Sequence, residues 1–158
     1  MAKEKGKKQP DGPRIQNRKA THDFEILERV EAGIALKGTE VKSLRAGDAS
    51  LAEAYARIDS GQVNLVNFQI QPYKQANLFN HDPKRIKRLL LHRREIKRLM
   101  SKVTLKGQTL VPLRVYFNAN GLAKVELALA KGRKVHDKRQ VERKREDLRE
   151  IARAQRRR

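Results

Sequence analysis

The sequence has no cysteine and no tryptophan, and its aromatic residues are four phenylalanines and three tyrosines among 158 residues. Without cysteine there are no disulfide bonds and no thiolate chemistry, as is usual in a reducing cytoplasm. So few aromatic side chains argue against a protein that stacks base after base of a single strand. No segment approaches the roughly 20 apolar residues of a membrane span, and residues 1–14 lack the apolar run of a secretory signal. We therefore expect a soluble, cytoplasmic protein without membrane contacts.

Acidic side chains are scarce relative to basic ones, 18 against 38, which gives a net charge of +20. The excess lies in residues 1–19, 84–106 and 132–158, whereas the rest of the chain carries nine basic and ten acidic side chains. Residues 84–106 alone carry ten basic side chains and one acidic side chain. A neutral core with basic extensions predicts a polyanionic partner such as nucleic acid.

Motifs for catalysis and metal binding are also missing. The sequence has no glycine-rich phosphate loop and no cysteine or histidine spacing typical of a metal site. His22 and His81 each precede an aspartate, but neighbours in sequence need not interact, and capping or solvated roles explain both pairs more simply. We therefore expect no enzyme activity, no cofactor and no metal.

Alternating apolar residues predict an antiparallel sheet. Residues 24–36 alternate with Glu28 as the only break, which predicts one long, half-buried strand. Gly33 within it indicates a bulge or a sharp bend. Residues 54–65 and 111–129 each predict a hairpin, and a shift of the apolar set after Leu65 indicates a second bulge.

Two short helices accompany the predicted strands. Thr39 is placed to cap a helix that ends near Gly47, and residues 96–103 place apolar side chains on one helical face and basic ones elsewhere. The fold class is therefore mainly β (α+β), a closed antiparallel β-barrel of the oligonucleotide-binding type with flanking short helices. An open α+β sheet is the alternative.

Three regions follow from this pattern. Residues 1–16 are predicted to be a disordered basic arm, residues 17–131 an RNA-binding barrel and residues 132–158 a disordered basic tail. The tail repeats Glu and Arg at helical spacing, but its apolar residues are too few to pack on a core, so its helix needs an external template. As a helix, the 22 residues from Asp137 would extend about 33 Å.

Two side chains on the polar faces of strands are candidate RNA contacts. Glu31 is either a solvated surface residue or an acceptor for a base amino or sugar hydroxyl group, because a carboxylate repels phosphate. Lys124 is either solvated or a phosphate contact. The basic helix within residues 84–106 is expected to contact phosphates. Structured RNA, recognised through its backbone and shape, suits these features better than a single strand.

Three segments together resemble the small protein B family, the bacterial tmRNA-binding partners in trans-translation. They are NRKATHDFEILERVEAGIALKGTEVKSLRAGDASLAEAYA, LLLHRREI and AKGRKVHDKR, and the likeness spans about residues 17–139. The resemblance implies a closed barrel of the oligonucleotide-binding type. It also implies binding of the tRNA-like domain of tmRNA and delivery, with elongation factor Tu, to stalled ribosomes. We expect the protein to be a monomer.

The resemblance also implies site residues. Asn17, Glu31 and Leu91 match positions associated with tmRNA binding, Arg18 and Lys19 follow Asn17, and Lys124 falls on the same strand surface. The family's tail becomes helical in the empty mRNA channel beside the decoding centre, and His136 would stack there on an rRNA base. The tail residues implied in ribosome binding are Gly132, Arg133, Lys134, His136, Asp137, Lys138, Arg139 and Ile151. Arg133 and Val135 stand where the family often has other residues.

Two other classes of protein remain as alternatives. A structural ribosomal protein or rRNA chaperone would be equally basic, and it would associate with ribosomes independently of tmRNA. An RNA-cleaving enzyme with His136 as general base lacks a second titratable group placed to assist it.

Overall fold

The computed structural model describes residues 12–76 and 78–156, which form a mixed α/β fold with a large antiparallel sheet and four helices. The elements in chain order are β1 (Ile15–Gln16), α1 (Ala20–Asp23), β2 (Phe24–Ile34), α2 (Gly38–Arg45), β3 (Ala49–Ser50), β4 (Tyr55–Asp59), β5 (Gln62–Val66), β6 (Gln69–Ile70), β7 (Lys87–Leu90), α3 (Arg93–Lys106), β8 (Thr109–Phe117), β9 (Ala123–Gly132) and α4 (Val135–Arg156). The predicted hairpins are confirmed as β4–β5 and β8–β9.

The sheet contains seven strands in the order β1-β8-β4-β5-β7-β2-β9, and β9 also pairs with β8. The two longest ladders join β9 to β2 on one side and to β8 on the other. The short strands β3 and β6 form a separate pair. The surface of β2, β9 and β8 is consequently continuous, and side chains from three strands meet there in register.

A bulge at Leu27 divides β2 into two halves that present opposite faces. Ile26 pairs with Ala130, but Glu28 pairs with Leu129, so one residue of β2 is left over between them. The predicted single apolar face of β2 is therefore wrong. Because a one-residue slip exchanges the two faces of a strand, the apolar residues before and after Leu27 join different cores.

The main core lies against the sheet and is covered by α3. Val30 and Ala32 of β2 face it, and Leu99 of α3 is fully buried against it. A second, smaller core lies on the other face of the sheet beneath α1. Its buried members are Ala20, Val111, Leu113, Ala128 and Ala130, with Phe24 and Ile26 packed against them.

Gly33 has a different role from the predicted bulge. It pairs with Leu90 of β7 and with Lys124 of β9, so β2 has neighbours on both sides at this point. A Cβ atom on Gly33 would lie 3.2 Å from the Cβ of Leu90. Glycine therefore allows β7 to approach β2 closely, whereas the bulge itself lies six residues earlier.

The start of α2 also differs from the prediction. The helix begins at Gly38, and the Glu40 carboxylate accepts a hydrogen bond from the backbone N–H of Lys37 at 2.7 Å. The Thr39 hydroxyl instead lies 2.9 Å from Nδ1 of His81, whose Nε2 lies 3.0 Å from the Ile70 carbonyl oxygen. His81 is buried, so it anchors the connection between β6 and β7 rather than being solvated.

Two segments are predicted to be disordered, residues 1–16 and residues 132–158. Residues 1–11 of the predicted arm lie outside the described residues, but Ile15 and Gln16 form β1 by pairing with Val115 and Arg114, so the arm ends earlier than expected. The disordered tail is not confirmed, because residues 135–156 form α4. Contacts between α1 and the first turns of α4 provide a template within the chain itself.

Candidate RNA interface

A row of polar side chains crosses the exposed outer face of β2, β9 and β8. Glu31 of β2 is directly opposite Glu126 of β9, which is opposite Arg114 of β8. One step along, Lys124 is opposite Tyr116. Residues opposite each other in adjacent strands share a face of the sheet. We call this group the outer-face strip; its members are Arg29, Glu31, Arg114, Tyr116, Lys124 and Glu126.

Glu126 holds two arginines of the strip. Its Oε1 lies 3.2 Å from Nη1 of Arg29, and its Oε2 accepts a hydrogen bond from Nε of Arg114. The side chain of Glu126 is only 13% exposed, whereas those of Arg29 and Arg114 are 61% and 41% exposed. Each guanidinium has five N–H donors, so both arginines are fixed at one edge and still present donors to solvent.

The Glu31 carboxylate accepts a hydrogen bond from the Tyr116 hydroxyl. Desolvation by burial and this hydrogen bond raise the pKa of Tyr116 to about 12, so the hydroxyl remains a donor at physiological pH. The Arg114 guanidinium lies 5.2 Å from the centre of the Tyr116 ring. Among the described residues, no other donor reaches Glu31, so its second carboxylate oxygen is available to an external donor.

Asn17 lies beside the outer-face strip, but its side chain is buried and engaged within the protein. Its Nδ2 donates to the Pro112 carbonyl oxygen at 3.2 Å, and its Oδ1 accepts from the backbone N–H of Ala20 at 3.2 Å. The amide thereby fixes the turn that carries Arg18 and Lys19, which are both exposed. A groove of about 360 Å³ runs from this turn to the two strip arginines.

Leu91, a predicted tmRNA contact, and its neighbour Leu90 differ in burial. Leu91 is half-buried and packs against the main core. Leu90, in contrast, is 54% exposed and lies over Gly33, which pairs in turn with Lys124. Leu90 therefore extends the same surface as the strip, and an apolar group at this end suits contact with a sugar or base better than with phosphate.

Two of the cations of the basic helix α3 form ion pairs within the protein. Arg98 and Lys102 pair with the two oxygens of Glu28 at 2.6 and 2.5 Å, and these contacts hold the pKa of Glu28 below its ordinary value. Glu28 interrupts the apolar residues of the predicted strand, and its ion pairs with α3 explain why a carboxylate lies there. The cations of α3 that remain exposed outside this cluster are Arg93, Arg94, Lys97 and Lys106.

The tail begins where β9 ends. Gly132 pairs with Phe24, and the backbone N–H of Arg133 donates to the Asp23 carbonyl oxygen at 3.0 Å. Lys134, Asp137 and Arg139 are exposed, whereas Lys138 bonds to Asp23. From residue 142 onward every described residue of α4 is exposed, including Ile151. The side chain of His136 lies outside the described part of the structure.

The structure thus brings most of the predicted tmRNA residues to one surface but gives them different roles. Glu31 and Lys124 lie in the strip, Arg18 and Lys19 border it, and Asn17 supports the turn. Sequence reasoning missed five residues of this surface, Arg29, Leu90, Arg114, Tyr116 and Glu126. Period-two alternation places each of them on a strand, but only the cross-strand register shows that they are neighbours.

Residues 12–76 and 78–156 contain no group of three or more His, Cys, Asp or Glu side chains arranged to hold a metal ion. No helix in the same ranges is long and apolar enough to cross a membrane.

Comparison with known proteins identifies related chains. A model of the family described as SmpB protein matches residues 14–157. An SsrA-binding protein of Pelotomaculum thermopropionicum is 58% identical over 139 residues, 88% of this chain and 90% of the relative. One of Desulforudis audaxviator is 57% identical over 149 residues, 94% and 97% of the two chains. A solved structure described as "tmRNA-SmpB: a journey to the center of the bacterial ribosome" matches with a TM-score of 0.66 and 54% identity, covering 78% of this chain and 87% of that one.

Proposed function

Because this chain belongs to the SmpB protein family, we propose that its outer-face strip binds the tRNA-like domain of tmRNA. The chain is a tmRNA-binding protein of trans-translation and a partner of the ribosome, as its SsrA-binding relatives and the tmRNA–SmpB structure indicate. Both partners are found in the cytoplasm, where we place the protein. The observation that carries the assignment of the strip is the fixed row of cations and carboxylates across three strands.

Each part of the strip suits a different chemical group of RNA. Arg29 and Arg114 are held at one edge by Glu126 and present their free N–H groups to phosphates, for which the planar guanidinium is well shaped. Arg18 and Lys19 extend the cationic surface across the groove. The free oxygen of Glu31 repels phosphate and accepts from a base amino group or a ribose 2′-hydroxyl. The strip therefore combines phosphate contacts with one group that is selective for sugar or base.

We further propose that the sheet is a closed barrel of the oligonucleotide-binding type. The successive pairings of β8, β4, β5, β7, β2 and β9 return to β8, and this supports closure. In such a barrel the outer-face strip and α3 are on different sides of β2, since Glu28 faces α3 and Glu31 faces outward. The free cations of α3 are then available to ribosomal RNA while the strip holds tmRNA, and elongation factor Tu accompanies the complex.

The tail helix α4 is long enough to reach a partner's surface away from the sheet. The 22 residues of α4 extend about 33 Å. Its apolar residues Leu148 and Ile151 are exposed, which suits a helix completed by an external surface. We propose that this surface is the vacant mRNA channel of a stalled ribosome. Gly132, Arg133 and Lys134 lead out of the sheet, His136 stacks on an rRNA base, and Asp137, Lys138 and Arg139 place the first turn.

Affinity purification tests the assignment. The full chain is captured from bacterial extract in parallel with a chain that ends at Lys131, and the bound RNA is sequenced. We expect tmRNA as the dominant species with both proteins, because the strip lies wholly within residues 1–131. A spread of rRNA fragments without tmRNA would instead support a ribosomal protein or rRNA chaperone.

A further inference from the structure

The connection between β6 and β7 carries two adjacent apolar side chains that are almost fully exposed. Leu78 is 93% exposed and Phe79 is 91% exposed, so Phe79 is the most exposed aromatic side chain in the part of the chain that the structure describes. We call these two side chains the loop tip. An exposed apolar pair of this kind marks a surface that a partner covers.

Polar side chains hold the connection close to the loop tip. The Asn80 amide pairs with the backbone of Tyr73, since its Nδ2 donates to the carbonyl oxygen at 3.0 Å and its Oδ1 accepts from the N–H at 3.1 Å. His81, two residues after Phe79, is buried. Further along, Arg85 donates to the two carboxylate oxygens of the buried Glu40 at 2.9 and 2.7 Å. The loop tip is therefore presented by a fixed frame, and its binding to a partner costs less ordering entropy than that of a free segment.

The surroundings of the loop tip are cationic. Lys74 and Lys84 are exposed on the same connection, and Nζ of Lys42 lies 5.3 Å from the centre of the Tyr73 ring. Asp82 is the only acidic side chain in residues 71–86, and it accepts a hydrogen bond from the backbone N–H of Lys84 at 2.9 Å. A flat aromatic face among cations suits an unpaired base and its phosphates.

Helix α2 connects this region to the outer-face strip. Lys42 and Arg45 are three residues apart, so they share a face of the helix, and both are exposed. Lys42 lies over Tyr73, whereas Arg45 donates to the Gly121 carbonyl oxygen at 3.4 Å, in the turn between β8 and β9. Lys124 of the strip follows this turn on β9. A path of cations therefore runs from the strip across α2 to the connection that carries the loop tip.

We propose that the loop tip is a second contact for the tRNA-like domain of tmRNA, at which Phe79 stacks on one unpaired base and Leu78 packs beside it. This inference rests on the proposed function of the strip. Lys42 and Arg45 bind the phosphates between the two contacts. One exposed aromatic side chain agrees with the recognition of a single splayed base in a structured RNA, because stacking along a strand needs several.

Tryptophan fluorescence of the full-length protein tests the stacking directly. The natural chain has no tryptophan, so Phe79→Trp places the only one at the loop tip. The control is Leu105→Trp, which places the only one in α3 at a position that is 82% exposed. Each variant is titrated with the unlabelled tRNA-like domain. We expect the RNA to quench the emission of Phe79→Trp, because a stacked base contacts the indole face, and to leave that of Leu105→Trp unchanged. Equal responses of the two variants would overturn the proposal.

Equilibrium binding gives the contribution of the stack. Phe79→Ala should raise the dissociation constant for the tRNA-like domain by about 5- to 150-fold, the scale of one base stacked on an aromatic side chain. Phe79→Tyr keeps a flat ring and should retain most of the affinity, and Leu105→Ala should match the natural chain. Because Phe79 is exposed, its replacement should leave the thermal unfolding midpoint unchanged.

The outcomes separate this inference from the proposed function. If the natural chain binds the tRNA-like domain and Phe79→Ala binds it equally well, the loop tip is not an RNA contact of tmRNA and the proposal is overturned. Lost ribosome association by Phe79→Ala at unchanged affinity for the tRNA-like domain would overturn it as well, since the loop tip would then contact ribosomal RNA. Failure of the natural chain itself to bind the tRNA-like domain would overturn the proposed function and this inference together.

Discussion

Removal of Glu31 gives the most informative test of whether the strip binds RNA as proposed. In the structure one oxygen of Glu31 is held by Tyr116, and the carboxylate is exposed beside two fixed arginines. If the other oxygen accepts from tmRNA, Glu31→Ala removes a charge-assisted hydrogen bond worth about 1 to 3 kcal/mol. The dissociation constant for the tRNA-like domain should then rise by about 5- to 150-fold.

The structure also provides a partner variant and a control. Tyr116→Phe keeps the ring and its contact with Arg114 but removes the hydroxyl that holds Glu31. It should weaken binding of the tRNA-like domain by only about 0.5 to 1.5 kcal/mol. In the Glu31→Ala background the same change should weaken binding by less. Glu25→Ala removes the same charge from an exposed position of β2 on the far side of the bulge, and it should leave binding unchanged or slightly tighter.

The assay is equilibrium binding of the labelled tRNA-like domain at one fixed salt concentration, because the affinity of basic proteins for RNA falls steeply with salt. Circular dichroism confirms that the variants are folded. Tighter binding by Glu31→Ala, or the same response as Glu25→Ala, would refute the reasoning, since it would show Glu31 to be only a repulsive surface charge.

Three further predictions concern the tail and the core. Ile151→Pro, which costs about 3 kcal/mol or more within a helix, should abolish tagging in a reconstituted reaction while tmRNA affinity is unchanged; lost affinity would contradict it. His136→Trp should retain much of the tagging activity that His136→Ala loses, and equal inactivity of the two would exclude stacking. Burial lowers the pKa of Lys87 to about 8, so Lys87 binds its proton more tightly in the unfolded chain than in the folded protein. The free energy of unfolding should therefore rise by up to about 3 kcal/mol from about pH 8 to 10.5. Denaturant titrations should show a flatter pH dependence for Lys87→Met, and an unchanged slope would contradict this origin.

Much of the fold could be predicted from local patterns, because hairpins and amphipathic helices are defined by neighbours in sequence. The period of α3 and the hairpin ending at Gly132 are examples. The error in β2 arose because Ile26 and Val30 are both apolar. A bulge between them sends one to the core beneath α1 and the other to the main core, and alternation alone cannot distinguish two apolar faces from one.

The candidate site was only partly predictable for a related reason. Glu31 and Lys124 could be chosen because they interrupt apolar strands with charge. Arg114 and Tyr116 look like ordinary polar positions until the register of β8 against β9 sets them beside Glu126 and Lys124. The contact between Nε2 of His22 and Oε1 of Glu142, at 2.7 Å, joins residues 120 positions apart, and no local pattern indicates such a pair.

The central claim, that the outer-face strip and not α3 is the main tmRNA surface, can be tested by charge reversal. The measurement is the affinity of the tRNA-like domain for Arg29→Glu/Arg114→Glu and for Arg93→Glu/Arg94→Glu, two variants with the same change in net charge. We expect the strip variant to bind at least about a hundredfold more weakly and the α3 variant to stay within about tenfold of the natural chain. A larger loss for the α3 variant than for the strip variant would contradict the claim.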